Sequence, residues 1–172
     1  ITNQLPLSYK LKNMSFITRE ATLEDLPSVL DLINELAIFE KEPTAVEVTV
    51  ADLERDGFSN SPKFKIFVAQ EASKVIGIAF IYMRYSTWKG PIVHLEDLIV
   101  TQEKRKLGVG MALYSKVLKY AHSIGAKRVS WEVIDWNTNA IDFYESTGAT
   151  ILSDWSVVQM NQENLEKFVQ NN

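Results

Sequence analysis

The sequence predicts an α/β fold, one domain built on a mixed central sheet flanked by helices. Three observations carry this. Strand-like and helix-like hydrophobic periods alternate along the chain. The early strands follow one another as a meander, whereas the later ones are separated by a helix-length segment, which calls for a parallel crossover. At 172 residues, 46% of them hydrophobic, the chain can bury one substantial core but not two comfortable ones.

The elements follow in order. "SFITREA" has a short strand pattern. Residues 22–40 then place Leu26, Val29, Leu30, Ile33, Leu36 and Ala37 at helical spacing. Thr22 with Asp25 makes a capping-box-like start, and Pro27 fits because it lies in the first turn. "TVADLERDGF" is a second, short helix ending at Gly57. "KFKIFVAQ" and "KVIGIAFIYMRY" are strands joined by a polar turn around residues 71–74, a hairpin. "PIVHLEDLIV" is a third long strand. A helix follows, with Val109, Leu113, Val117, Tyr120, Ala121 and Ile124 along one face and Gly125 as its stop. "KRVSWEVI" is another strand, "TNAIDFYEST" a short helix and "WSVVQM" a last strand.

Composition excludes several functions. With no cysteine there is no thiolate catalysis, disulfide or cysteine-ligated zinc. Two histidines, His94 and His122, are too few for a multi-histidine metal site, so no metal is expected. His94 reads as a packing residue and His122 as a solvated helix residue. The apolar runs are strand-sized, which speaks against a membrane span. No signal-peptide layout is present, and a cytoplasmic location is expected. A net charge of −4 without a basic stripe argues against nucleic acid and suits a cationic small molecule. Residues 1–13 lack a clear period and read as a cloning leader or a flexible arm, with the domain proper over residues 14–172. Leaving out that stretch removes Lys10 and Lys12 and takes the charge to −6.

The motif "RKLGVG" sits where a strand hands over to a helix. Amides at a helix N-terminus are free to bind an anion, and the helix dipole assists. Gly108 and Gly110 allow close approach, and Arg105 and Lys106 add cations. The combination suits a pyrophosphate; a tight turn that only needs glycines reads the same way. It is neither a Walker loop nor a dinucleotide fingerprint. In the strand before it, Glu96 and Asp97 are adjacent acids in an apolar run, and period-2 alternation points them to opposite faces. Burying an unpaired carboxylate is costly, which makes the pair a candidate site, with a structural ion pair as the alternative.

Together, residues 94–121 and 133–149 resemble the GNAT superfamily of N-acetyltransferases. Its Arg/Gln-x-x-Gly-x-Gly/Ala signature is met by Arg105, Gly108 and Gly110, and its later Asn and Phe-Tyr pair by Asn137 and Phe143-Tyr144. "YSTWKG", "HLEDLIV", "DWN" and "DFYESTGA" resemble the diamine acetyltransferase branch, which includes spermidine/spermine and thialysine acetyltransferases. The resemblance covers about residues 16 to 160.

The resemblance implies acetyl-CoA as co-substrate. The backbone of Leu98, Ile99 and Val100 would hold its pantetheine arm where two parallel strands splay apart. The amides of Lys106, Leu107, Gly108, Val109, Gly110 and Met111 would bind the pyrophosphate, with Asn137 and Ala140 contacting the cofactor from the other side. Tyr144 falls at the family's general-acid position; a phenol with pKa near 10 can protonate a departing thiolate. Glu96 is the candidate to take the proton of an ammonium substrate, directly or through water, and Asp97 to hold its charge. Glu40, Trp88 and Trp155 match substrate positions of the branch, the tryptophans by cation–π contact. Ser86 replaces an aspartate of the polyamine enzymes, which favours a lysine-like or shorter amine, and Glu145, Ser146 and Thr147 replace basic residues. The expected function is N-acetylation of a small cationic primary amine by direct attack, in a homodimer. The alternatives are a non-catalytic acyl-CoA sensor and a protein or peptide N-acetyltransferase.

Overall fold

The computed structural model describes residues 15–171, so the reading of residues 1–13 lies outside the described residues. The chain forms two compact units that divide between Glu132 and Val133.

The larger unit holds a five-stranded sheet in the order β1-β2-β3-β4-β5. Its strands are β1 (Phe16–Glu20), β2 (Lys65–Glu71), β3 (Lys74–Ser86), β4 (Gly90–Val100) and β5 (Val129–Ser130). The first four pair antiparallel, and β5 joins β4 in parallel. The mixed sheet read from the sequence is the one observed. Its helices are α1 (Leu26–Phe39), α2 (Val50–Gly57) and α3 (Val109–Ser123).

Local chemistry sets these boundaries. Thr22 N–H donates to Asp25 Oδ2 at 2.7 Å, closing the turn that leads into α1, and Pro27 occupies its first turn. Thr49 and Asp52 cap α2 in the same manner. Gly125, at φ +71°, ends α3 in the left-handed conformation that a side chain resists.

Alternation along β2 sorts the core into two layers. Ile66 and Val68 face one side and pack with Leu26, Val29, Leu32 and Leu53 of α1 and α2. Phe67 faces the other, where its ring meets Tyr120 of α3 at 5.7 Å. Of the six positions expected to line α3, Val109, Leu113, Val117 and Ala121 are buried, whereas Ile124 is exposed at the helix end.

Two strand expectations are corrected. The run "KRVSWEVI" is a strand only over Val129–Ser130. A β-bulge shifts the β3–β4 register after Phe80, so that Phe80 faces Asp97 and Ile81 faces Leu95, with Glu96 unpaired between them. A bulged strand bends and twists, and pairing of β4 with β5 stops at His94 and Ser130, just before that bulge. "WSVVQM" forms no strand. Its composition suits a strand, but no described strand lies within residues 133–171 to pair with it.

That smaller unit contains α4 (Thr138–Ser146) and α5 (Gln162–Gln170). Asn137 caps α4, its side-chain oxygen accepting from Ala140 N–H at 3.3 Å. Helix α5 was not expected. Its signals are Asn161, which caps it through Asn164 N–H at 2.9 Å, and apolar Leu165, Phe168 and Val169 at helical spacing.

Candidate active site

The bulge at Glu96 makes the site. Strict alternation would send Glu96 and Asp97 to opposite faces, and that expectation is overturned. The extra residue resets the phase, and both acids line one cavity of about 350 Å³. Ile33 from α1, Val48, Leu53 from α2, Phe64, Phe80 and Tyr82 form its apolar walls.

Four carboxylates line this cavity, and they are not equivalent. Asp52 and Asp56 of α2 are neutralised by Arg55 at 2.6 Å each, and Asp56 also by Lys63 at 2.7 Å. These cations pull Asp56 down to about 2. Among the described residues, no lysine or arginine pairs with Glu96 or Asp97. Burial pushes Asp97 up to about 7, assisted by the nearby charges of Glu96 and Glu40. Burial also raises Glu40, at the end of α1. The structure therefore brings Glu96 and Asp97 together with no cation of their own; Glu40 does not line the cavity, but its charge adds to the rise of Asp97. Such a site favours a positively charged guest.

Glu96 is half exposed, and its carboxylate lies 3.6 Å from His94 Nε2. Tyr82 lies on the same cavity wall; burial, then the charge of Glu96, raises its phenol above the ordinary range.

Immediately after the acids, β4 presents an open edge. Residues 98–100 lie beyond the last β4–β5 pair, so no described strand pairs with them on that side. At about 3.3 Å per residue, the acids and this edge are a step or two apart. The chain then enters the glycine turn. Lys106 and Gly108 both adopt positive φ, +63° and +85°, and Gly108 is the residue before α3. The first intrahelical bond runs from Ala112 N–H to the Gly108 carbonyl at 3.0 Å. The amides of Val109, Gly110 and Met111 thus lie in the first turn, where a helix offers no acceptor. A side chain at Gly110 would meet only Val100 Cγ2, at 3.8 Å, so protein packing does not demand glycine there. What the glycine leaves open is the approach to those amides. Open edge and bare helix start together fit a long ligand with an amide-bearing arm and a phosphate end.

Arg105, expected to add a cation to the turn, is engaged within the protein. Its Nε donates to the Val100 carbonyl at 2.9 Å, its guanidinium lies 3.8 Å from Glu35, and it stacks 5.1 Å from the Phe39 ring. It ties the turn to α1. Lys104 is likewise held by Glu71.

A model of the acetyltransferase (GNAT) family matches residues 26–149, across both compact units. The chain belongs to the GNAT family. Within it, the similarity is to the diamine acetyltransferase branch. The chain is 36% identical over 150 residues to thialysine N-epsilon-acetyltransferase of Bos taurus, covering 82% of this chain and 88% of that one. The Caenorhabditis elegans protein of the same name is 31% identical over 162 residues, with 92% and 98% covered. A human spermidine/spermine N(1)-acetyltransferase-like protein 1 is 34% identical over 160 residues; the match takes 87% of this chain but spans only 23% of that protein. Among solved structures, an integron cassette protein from the mobile metagenome of V. cholerae superposes with a TM-score of 0.75 at 22% identity, covering 92% of this chain and 99% of that one. That likeness speaks for the fold.

The remaining positions named from the GNAT resemblance divide by unit. Trp88 is 80% exposed at the β3–β4 hairpin tip and is not part of the cavity lining. Ser86 Oγ accepts from the Trp88 and Lys89 amides there, at 3.3 Å each, so it shapes the turn. In the smaller unit, Asn137 and Ala140 form the α4 cap, and Tyr144 is a buried residue of α4 whose ring meets Phe143 at 5.3 Å. Trp155 is 70% exposed. Sequence reasoning missed Tyr82, Phe64, Phe80 and the α2 acids. Only Tyr82 carried a signal, a polar-tipped residue inside an apolar strand.

Proposed function

We propose that this GNAT protein acetylates a small primary amine carrying positive charge, of the lysine-like, thialysine-like or polyamine kind, with acetyl-CoA as donor. The observation that carries it is the bulge-made pair Glu96–Asp97: two carboxylates without a cation, in an apolar-walled cavity, a strand step or two from an open edge that leads on to a bare helix start. When bound, acetyl-CoA supplies an activated acetyl thioester. Backbone of Leu98, Ile99 and Val100 holds its arm, and the amides from Lys106 to Met111 take its phosphates. Asp97 and Glu40 attract the ammonium. Glu96 takes one proton from it, freeing the nitrogen lone pair to form the N–C bond. A backbone N–H of the open edge steadies the carbonyl oxygen. As the C–S bond breaks, Tyr144 gives the sulfur a proton. No metal takes part. Asn137 and Ala140 on the donor side, and Trp88 and Trp155 on the acceptor side, complete the reading. We take the working form to be a cytoplasmic homodimer, as the family resemblance implies.

The deciding experiment is thiol release from acetyl-CoA against spermidine, putrescine, thialysine, lysine and short peptides. Turnover on one small cationic amine is the expected outcome. Turnover on peptides alone, or acetyl-CoA binding without turnover on any of them, would overturn the substrate reading. Tyr144→Phe is expected to lower kcat by about 100-fold; unchanged kcat would remove the acid assignment and leave family membership intact.

A further inference from the structure

Among the described residues, Asp25 and His94 are the polar or charged residues closed most completely to solvent. Arg19 satisfies Asp25 with two hydrogen bonds, whereas the chemistry above leaves His94 unused. A buried imidazole must find partners for both ring nitrogens. Nδ1 of His94 lies 3.2 Å from Ser130 Oγ, on β5. Nε2 lies 3.6 Å from Glu96 Oε2, two residues along β4. The ring also stacks at 4.9 Å on Tyr82 of β3, which lines the same cavity as Glu96. His94 is therefore braced by β5 and β3, with its remaining nitrogen turned to Glu96.

The chemistry selects a tautomer. Beside an ionised Glu96, a bare Nε2 would set its lone pair against carboxylate oxygen. A proton on Nε2 faces that oxygen favourably, and the Ser130 hydroxyl then donates to Nδ1.

We propose that His94 is a positioning residue: with Ser130 behind it and Tyr82 beside it, it holds the Glu96 carboxylate in the orientation that accepts the substrate's proton. The inference rests on the reading of Glu96 as proton acceptor. The 3.6 Å separation closes to hydrogen-bond length when substrate enters, as catalytic contacts do. His94 gives up no proton: one substrate N–H bond breaks and one Glu96 O–H bond forms. Burial lowers the imidazole below its ordinary range, which keeps it neutral, as the arrangement requires. The other groups facing the ring are Arg84 on β3 and Glu132 beyond β5, of opposite sign, together with Glu96 and Tyr82.

The test measures kcat, KM and the pH dependence of kcat for His94→Phe, His94→Gln, Ser130→Ala and Glu96→Gln in the full chain, on the amine that the panel shows to be turned over. Phe keeps the stack on Tyr82 but has no donor; the Gln amide nitrogen falls near the place of Nε2. Expected for His94→Phe is a kcat lower on the order of tenfold, with KM little changed. Its acid limb moves up by roughly half a pH unit, because a carboxylate stripped of a donor ionises less readily. His94→Gln recovers most of both effects, and Ser130→Ala lies between. If Phe and Gln behave alike and neither moves the acid limb, His94 only packs and the inference is overturned, provided Glu96→Gln is inactive. If Glu96→Gln retains full kcat, the reading of Glu96 itself falls. Should His94→Phe fail to fold, Ser130→Ala against His94→Gln decides: an unmoved limb in Ser130→Ala overturns the inference.

Discussion

Asp25 and Asp97 are both held away from water in the larger unit, yet their surroundings are opposite. At the entry to α1, Arg19 meets Asp25 through two bonds of 2.6 and 2.8 Å, and the Thr22 amide adds a third. These contacts hold Asp25 below the ordinary carboxylate range, Arg19 contributing most. At the β4 bulge, Asp97 has carboxylates for neighbours and rises to about 7. One buried acid is satisfied and stabilises the fold. The other is left without a cation, which lowers stability and leaves the cavity ready for one. The α2 acids repeat the contrast inside the cavity itself, since Asp52 and Asp56 have their own cations while Glu96 and Asp97 await one.

The largest expected effect comes from breaking the satisfied side. Asp25→Ala leaves Arg19 without its partner and removes the turn's cap, a loss of about 2–3 kcal/mol. For a chain of this size the melting temperature should fall by roughly 5–10 °C, read by calorimetry. The pH dependence follows from the lowered pKa. Asp25 contributes fully above the unfolded value near 3.9, and its contribution fades as pH falls through the folded value. The gap between parent and variant should therefore narrow below about pH 4. A gap that stays constant down to pH 2 would mean that the ion pair is not what Asp25 supplies.

Asp97→Asn tests the other side and should move stability the opposite way. A raised pKa means that stability is present below the unfolded value and lost as pH rises through the folded one. At pH 8 the parent carries the full cost of an ionised Asp97 and the variant none. The variant should then melt higher by several degrees, with the difference vanishing near pH 4. KM for a cationic amine should rise at the same time. A variant that melts lower at pH 8 would show that Asp97 is a structural acid like Asp25.

These two acids also mark where the sequence is readable. Asp25 stands three residues after Thr22 at the start of a periodic helix, a local pattern, and the capping reading is what is observed. The strand order was equally legible, because hairpins and a helical crossover leave little topological choice. Glu96 and Asp97 stood out as acids in an apolar strand, but their shared face did not, since a bulge is set by how β3 and β4 pair along their whole shared length. Arg105 shows the same limit. Its spacing to Gly108 and Gly110 suggested a phosphate ligand, whereas its contacts with Glu35 and Phe39 depend on where α1 packs. The short β5 and the unpaired "WSVVQM" were misread because strand composition carries no information about whether a partner edge is present.

The smallest effect sharpens the comparison most. Asp97 is raised first by burial, then by Glu96, and least by Glu40. Replacing Glu40 by Gln removes the weakest of these and leaves the cavity walls in place. The Asp97 titration, followed by carboxyl NMR in the unliganded protein, should move down by a few tenths of a pH unit. Glu96→Gln should move it further, and the double variant further still, stopping above the value of a solvated aspartate because burial persists. Were Glu40→Gln to leave the titration where it is, the acidic group would reduce to Glu96 and Asp97, and the pull on a substrate's charge would belong to the bulge alone. A shift larger than that of Glu96→Gln would instead place the centre of the negative field at the end of α1, and the amine's second charge would be sought there.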